Sequence, residues 1–329
     1  MSRPILALIS FLWAIATFIK ILSLMDHDDP IPKTCTADPY VMDSYYSIGI
    51  GPVDSFLCII HPFFDKLLFN SGTAGILNYL FIASVFLPLA VMSSVEGCRK
   101  EAKWFVYLSG LVSFIGQIIT ISTAFPLLWL TSYFLAKPSS DKTKHYLNSS
   151  SVLLTAFTNL ILVVVSAALP FSPKEYRTVL ITAFQFIPLV NCVPLILFPI
   201  IGYSKVISDA KHGSSTAVKV YHFFAGISAA IWIGMCILAW TDQSVLDLNV
   251  WTNLLNNDPE NGLLIVDGIS LLVSGFLFSL VETGVISFIK TVLLSALIGP
   301  GAALLINFAD RESQSLGSQT VGSSKLKLQ

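Results

Sequence analysis

The chain has 329 residues, of which 54% are hydrophobic and only 12% charged, and its mean hydropathy is +0.75. A soluble domain carries roughly 25% charged residues, so an ordinary water-soluble fold is excluded. A formal net charge of -1 and a pI near 6.5 provide no basic field for a nucleic-acid backbone, so nucleic acid is not an expected partner.

The first apolar run covers 5–25. Arg3 precedes it, but no small-residue cleavage site follows before Asp26, so the run reads as a span rather than a secretory signal. Further runs cover 75–95, 104–136, 152–171, 179–203, 217–240, 263–281 and 285–308. Each is continuous rather than alternating, and only helices or closed barrels satisfy their backbone in lipid. The fold class is therefore all-α, a polytopic transmembrane helical bundle of about seven to eight spans. It fills 1–310, and a Ser- and Gly-rich tail over 311–329 is expected to be disordered.

Between the first two runs, Asp54, Cys58, His61 and Asp65 recur at helical spacing and share one face, with Phe56, Leu57, Ile60, Phe63 and Phe64 opposite. Segment 53–69 reads either as an interfacial helix with a wet polar stripe or as a re-entrant segment whose stripe lines a cavity, and Pro62 predicts a kink in it. Five cysteines without repeated spacing argue against a disulfide framework. Cys35 and Cys58 could pair only in an oxidising lumen, and free thiols are expected.

The basic connections are Arg3, the group Arg99, Lys100 and Lys103, and the stretches 137–145 and 205–219; by the positive-inside tendency they face the cytosol. Acidic connections carrying Asp26, Asp28 and Asp29, and later Asp242, Asp247, Asp258 and Glu260, belong on the other side. These assignments agree only if 104–136 makes two short passes, with a break expected near Pro126. Asn148 begins a glycosylation sequon that is expected to go unused beside a cytosolic loop.

An ionisable side chain near the bilayer centre costs at least about 2.5 kcal/mol and is a functional candidate by default. The candidates are Asp54, Glu96 and Asp267 as catalytic carboxyls, with Gln117, Gln185 and His61 as binding residues. Glu96 has a plainer reading as an interfacial partner of Arg99 or Lys100. Asp267 lies inside an apolar run with no basic neighbour within a helical turn; its plainer reading is a hydrogen bond to a neighbouring helix. Glu282, eight residues before Lys290, reads as half of an interfacial pair. The three carboxyls are expected to meet in one pocket, because a shared cavity lowers the cost of inserting each.

Several short motifs fall in one order: Tyr46-Ser47-Ile48-Gly49-Ile50-Gly51-Pro52-Val53-Asp54, Phe63-Phe64, Val95-Glu96-Gly97-Cys98-Arg99, Gly116-Gln117, Pro126-Leu127, Ser172-Pro173, Gln185-Phe186-Ile187-Pro188, Leu263-Leu264-Ile265-Val266-Asp267, Gly299-Pro300 and Asp310-Arg311-Glu312. In this order the chain resembles the fungal membrane-bound terpene cyclases typified by the ascofuranone-pathway cyclase. It departs from that pattern after the Pro-Leu pair, where Leu128 precedes Trp129. The resemblance implies cyclisation of an epoxidised or unsaturated prenyl chain of a meroterpenoid precursor. The expected partners are then a hydrophobic prenylated small molecule and membrane lipid, with other enzymes of the pathway as conceivable ones, and the expected location is the endoplasmic reticulum membrane.

Such a reaction starts with a carboxylic acid kept neutral in an apolar pocket, and aromatic faces can steady the cation that follows. Asp26-His27-Asp28-Asp29-Pro30 does not form the Asp-rich Mg²⁺ site that ionising a diphosphate requires, and no nucleotide or metal motif is found, so a cofactor-free isomerase is expected. The rival readings use the same residues: a proton-coupled small-molecule transporter, or a receptor-like membrane protein without chemistry.

Overall fold

The computed structural model describes residues 2–24, 35, 49–136, 147–193 and 210–325, the last of these segments with side chains from 213 to 314. The acidic triplet Asp26, Asp28 and Asp29, the basic stretches 137–145 and 205–209, Tyr46-Ser47-Ile48 and the later part of the 179–203 run lie outside the described residues.

The described chain is an α-helical bundle. Its elements are α1 (Arg3–Leu24), α2 (Gly51–Asp65), α3 (Gly72–Gly97), α4 (Ser109–Ile119), α5 (Ile121–Leu135), α6 (Ser149–Phe171), α7 (Lys174–Val190), α8 (Ala210–Thr241), α9 (Leu248–Asn257), α10 (Pro259–Ile298) and α11 (Pro300–Lys325). Among the described residues, α1, α3, α6, α8 and α10 are long and apolar enough to cross a membrane. Helix α3 is the hub: apolar around its circumference, it is buried along most of its length and packs against α6, α8, α10 and α11. Small residues bring the backbones close, as is usual where no hydrophobic force drives helices together in lipid. At Gly301 a Cβ atom would collide with the Ser84 carbonyl, and Ser228 donates to that same oxygen at 3.2 Å.

Two apolar runs fold back on themselves. Helices α4 and α5 meet at Thr120, whose φ of 76° turns the chain. Both open ends of this hairpin lie at one end of the bundle, where Arg3 donates to the Ala136 carbonyl at 3.2 Å and the turn Trp104–Tyr107 packs against Thr131–Leu135. The 11 residues of α4 rise only about 16 Å, far short of a hydrocarbon core about 30 Å thick. The break therefore lies at Thr120, not near Pro126. At Pro126 the helix widens into a π-helical stretch, Phe125–Leu130, and the Pro126 carbonyl accepts the Thr131 amide as well as hydroxyls from Ser10 and Thr131, each hydroxyl at 2.8 Å.

The second fold-back lies in 285–308. Helix α10 loses helical geometry at Gly284 (φ 81°), and α11 starts after Gly299 (φ 89°). Leu304 borders Gly275, Asn307 donates to Ser279 at 2.6 Å and to Thr283 at 2.9 Å, and Arg311 reaches Glu282. Helix α11 thus runs parallel to 259–283, and the stretch 285–298 must run back between them.

The two ends of the bundle differ in charge. One carries Arg3, Arg99, Lys100 and Lys103, with Leu147 bridged to Arg99 and Gly213 against Leu147. The other carries Asp242, Asp247 and Asp258 and holds α2, tied through Lys66 to Glu260 at 2.5 Å and through Asp65 to Arg177 at 3.8 Å.

Three observations differ from expectation or choose between alternatives. Cys35 and Cys58 form a disulfide rather than free thiols, because the fold brings two buried cysteines within a Cα separation of 5.7 Å. On the polar face of α2, Asp54, Cys58 and His61 are buried, whereas Asp65 at the end of the stripe is 48% exposed. The helix of α11 continues as far as Lys325, into the stretch where disorder is expected; a helix already nucleated lengthens at little cost. Asn148 is buried and its side-chain oxygen caps α6, accepting from Ser150 at 2.9 Å, a position that leaves no room for a glycan.

Candidate active site

The three sequence-predicted carboxyls are all buried, but they occupy three separate settings. Asp267 stands at the tip of the first hairpin. Its Oδ1 accepts the Ser122 amide at 2.8 Å, and the Ile121 amide and the Thr120 hydroxyl also bear on it. No cation pairs with it among the described residues. The reason is local: Thr120 breaks the helix, so the first amides of α5 have no partner in their own helix, and a carboxyl from α10 supplies one.

Glu96 lies at the basic end in a network of charges. Arg99 donates to both its oxygens, from Nε to Oε2 at 2.7 Å and from Nη2 to Oε1 at 2.9 Å, and Arg311 also donates to Oε1. Arg311 pairs in addition with Glu312 at 2.9 Å and with Glu282 at 3.3 Å, while Arg99 also reaches Glu312. Glu282 therefore partners Arg311 and not Lys290. Burial alone would lower the Arg99 pKa, but Glu96 and Glu312 outweigh it and raise it. Burial likewise opposes ionisation of Glu312, and Arg99 and Arg311 bring its carboxyl below the ordinary range.

Asp54 sits in the first turn of α2 at the acidic end, on the face that holds His61. The His61 Nε2 lies 3.2 Å from the Thr182 hydroxyl, and burial pushes the imidazole down to about 4, so the ring is neutral around pH 7. Gln185 on α7 is fully buried, and neither end of its amide has a hydrogen-bond partner among the described residues. Gln117 is half-buried on α4, three residues before the hairpin tip.

The expected convergence does not occur. Gly268, next to Asp267, packs on the Phe81 ring. From Phe81 to Glu96 helix α3 rises about 22 Å. A small apolar cleft between α3, α6 and α8, lined in part by Leu87, Val163 and Phe224, holds none of the three carboxyls.

Aromatic rings occupy the interval between Asp267 and the Glu96 network. Trp129 stacks on Phe125 at 5.0 Å and on Tyr133 at 5.4 Å; Phe278 meets Trp129 edge-on at 5.2 Å and Tyr133 at 4.8 Å, and stacks on Phe308 at 5.2 Å. The run then reaches Tyr221, 6.3 Å from Phe308, and Arg311 lies over the Phe308 ring at 5.2 Å. Along α10 this run spans about 16 Å from Asp267 to Phe278. Sequence reasoning missed Arg311, Tyr133 and Tyr221. Arg311 did leave a signal, a cation closing an apolar run; tyrosines within apolar helices leave none.

Fold and site together define a polytopic helical membrane protein with a buried acid at one end of a run of aromatic rings. The CtvD domain matches residues 5–255, and the chain belongs to that family, whose function is terpene cyclase-like. The matched region includes Asp54, Glu96 and the first hairpin, whereas Asp267, Glu282 and Arg311 follow it. No curated protein and no solved structure matches the chain.

Proposed function

We propose that the protein is a cofactor-free terpenoid cyclase of the endoplasmic reticulum membrane, acting on an epoxidised or unsaturated prenyl chain of a meroterpenoid precursor, with Asp267 as the acid that starts the reaction. The supporting observation is the setting of Asp267: buried, without a cation, and at the head of a run of aromatic rings. One carboxyl oxygen takes amide hydrogens at the start of α5, and the other can carry the proton. That proton goes to the epoxide oxygen; the C–O bond breaks as an alkene π pair forms the new C–C bond. The final cation loses a proton, water returns one to Asp267, and the product is an isomer of the substrate. Ring faces steady the positive charge without capturing it.

Glu96 suits a supporting role better than proton donation, because both its oxygens already accept from guanidiniums. Gln185, with both amide ends unpartnered, is the binding candidate best placed to meet a substrate oxygen. His61 is engaged with Thr182.

Asp267→Asn separates catalysis from structure, since Asn caps helices about as well as Asp but has no acidic proton to give. Full-length protein given an epoxidised farnesyl phenol is expected to form an isomeric product, unaffected by a divalent-metal chelator. The Asn variant is expected to lose at least about 100-fold in rate with unchanged membrane insertion. Parent-level turnover by the variant removes Asp267 as the acid, and chelator-sensitive turnover restored by Mg²⁺ removes the proton-triggered mechanism.

A further inference from the structure

The aromatic run ends at the basic pole of the bundle, and the chemistry there differs from that around Asp267. Tyr221 on α8 is fully buried, yet among the described residues its hydroxyl has no hydrogen-bond partner. It lies within electrostatic reach of Glu96, Arg311 and Glu312, whose charges pair among themselves. A buried hydroxyl left unpaired beside such a network is unfavourable unless something else completes it. Trp129, also fully buried, has an indole N–H without a partner among the described residues. Indole can only donate, so a group meeting it must carry an acceptor oxygen. Tyr133, from the first hairpin, also lies within electrostatic reach of this network, of Glu282, Glu96, Arg311 and Arg99.

We propose that Tyr221 and the Arg99–Arg311 network hold the oxygen-bearing aromatic head of the substrate, with its prenyl chain lying along the rings toward Asp267. The proposal rests on the cyclase reading and adds which end of the molecule goes where. The partly exposed Tyr133 ring suits an aryl group, and the unpaired hydroxyl suits a phenolic or carbonyl oxygen. The direction also follows from amphiphile physics: Arg99 and Arg311 are 15% and 17% exposed at the basic pole, so a polar head rests near the membrane face while its chain points inward. Tyr221 is then a positioning residue and a determinant of specificity.

The test is equilibrium binding to the full-length protein in lipid nanodiscs, comparing farnesyl hydroquinone with farnesylbenzene, which has the same chain and ring without oxygen. The parent is expected to favour the hydroquinone, and Tyr221→Phe to weaken hydroquinone binding roughly 3- to 10-fold while leaving farnesylbenzene unchanged, the loss of one net hydrogen bond. Farnesylbenzene serves as the internal control for folding. Equal affinity of the parent for both probes, or equal losses for both in the variant, overturns the proposal. Neither readout needs turnover, so an intact binding difference without isomeric product from the epoxidised hydroquinone removes the cyclase reading and leaves the head site standing.

Discussion

Glu96 and Asp267 are both buried carboxyls on long apolar helices, and their neighbours assign them different work. Glu96 accepts from two guanidiniums, Asp267 only from amides and hydroxyls. Removing the Glu96 charge leaves Arg99 and Arg311 short of a partner in a buried network, which typically costs about 3 to 5 kcal/mol. Glu96→Gln is therefore expected to lower thermal stability markedly in a detergent melting assay, and an unchanged melting point would count against the network as a structural anchor. Asp267 was legible in the sequence because an acid with no basic residue within a turn stands out in an apolar run. The pairing of Glu96 with Arg99 was also legible, from their helical spacing. Arg311 as a second partner was not, since 215 residues separate the two in the chain. Tyr221 was equally hidden, because an unpaired hydroxyl is a property of its surroundings.

At the scale of elements, hydropathy located the apolar stretches and left their direction open. The run 104–136 is long enough to read as one crossing, yet it forms a hairpin, because Thr120 adopts a backbone conformation rare for a β-branched residue and the Asp267 carboxyl caps the helix that follows. Such a cap comes from another helix and has no local signature. Proline is the stronger local signal and points to Pro126, but the helix passes through it by widening into a π-helical turn. Single cysteines at Lys103 and Ala136, in a background where Cys98, Cys192 and Cys236 are Ser, are expected to label with an impermeant maleimide from the same side of the membrane. Labelling from opposite sides means that the segment crosses once and that the hairpin is wrong.

For the whole molecule, the disulfide and the charge asymmetry bear on the same question of orientation. Cys58 of the Cys35–Cys58 disulfide lies on α2 at the acidic pole, and disulfides persist in oxidising compartments, so we propose that this pole faces the lumen and the basic pole the cytosol. Cys58→Ser is expected to cost about 2 to 4 kcal/mol, seen as a melting point several degrees lower, and in the parent neither cysteine should take up maleimide until reduced. Uptake at Cys58 without reductant overturns the assignment. The sequence by itself determined that the chain is a membrane-spanning helical bundle, which of its poles is basic, and which carboxyls are unusual, because composition, local periodicity and lone charges are properties of short stretches. Only the tertiary structure decided that Asp54, Glu96 and Asp267 stay apart, that the run 104–136 turns at Thr120 and that 285–308 folds back, that Cys35 meets Cys58 and that rings from α5, α8, α10 and α11 form one continuous run. Each of these depends on contacts between residues distant in the chain, and such contacts are set by how helices pack around α3 rather than by any local pattern.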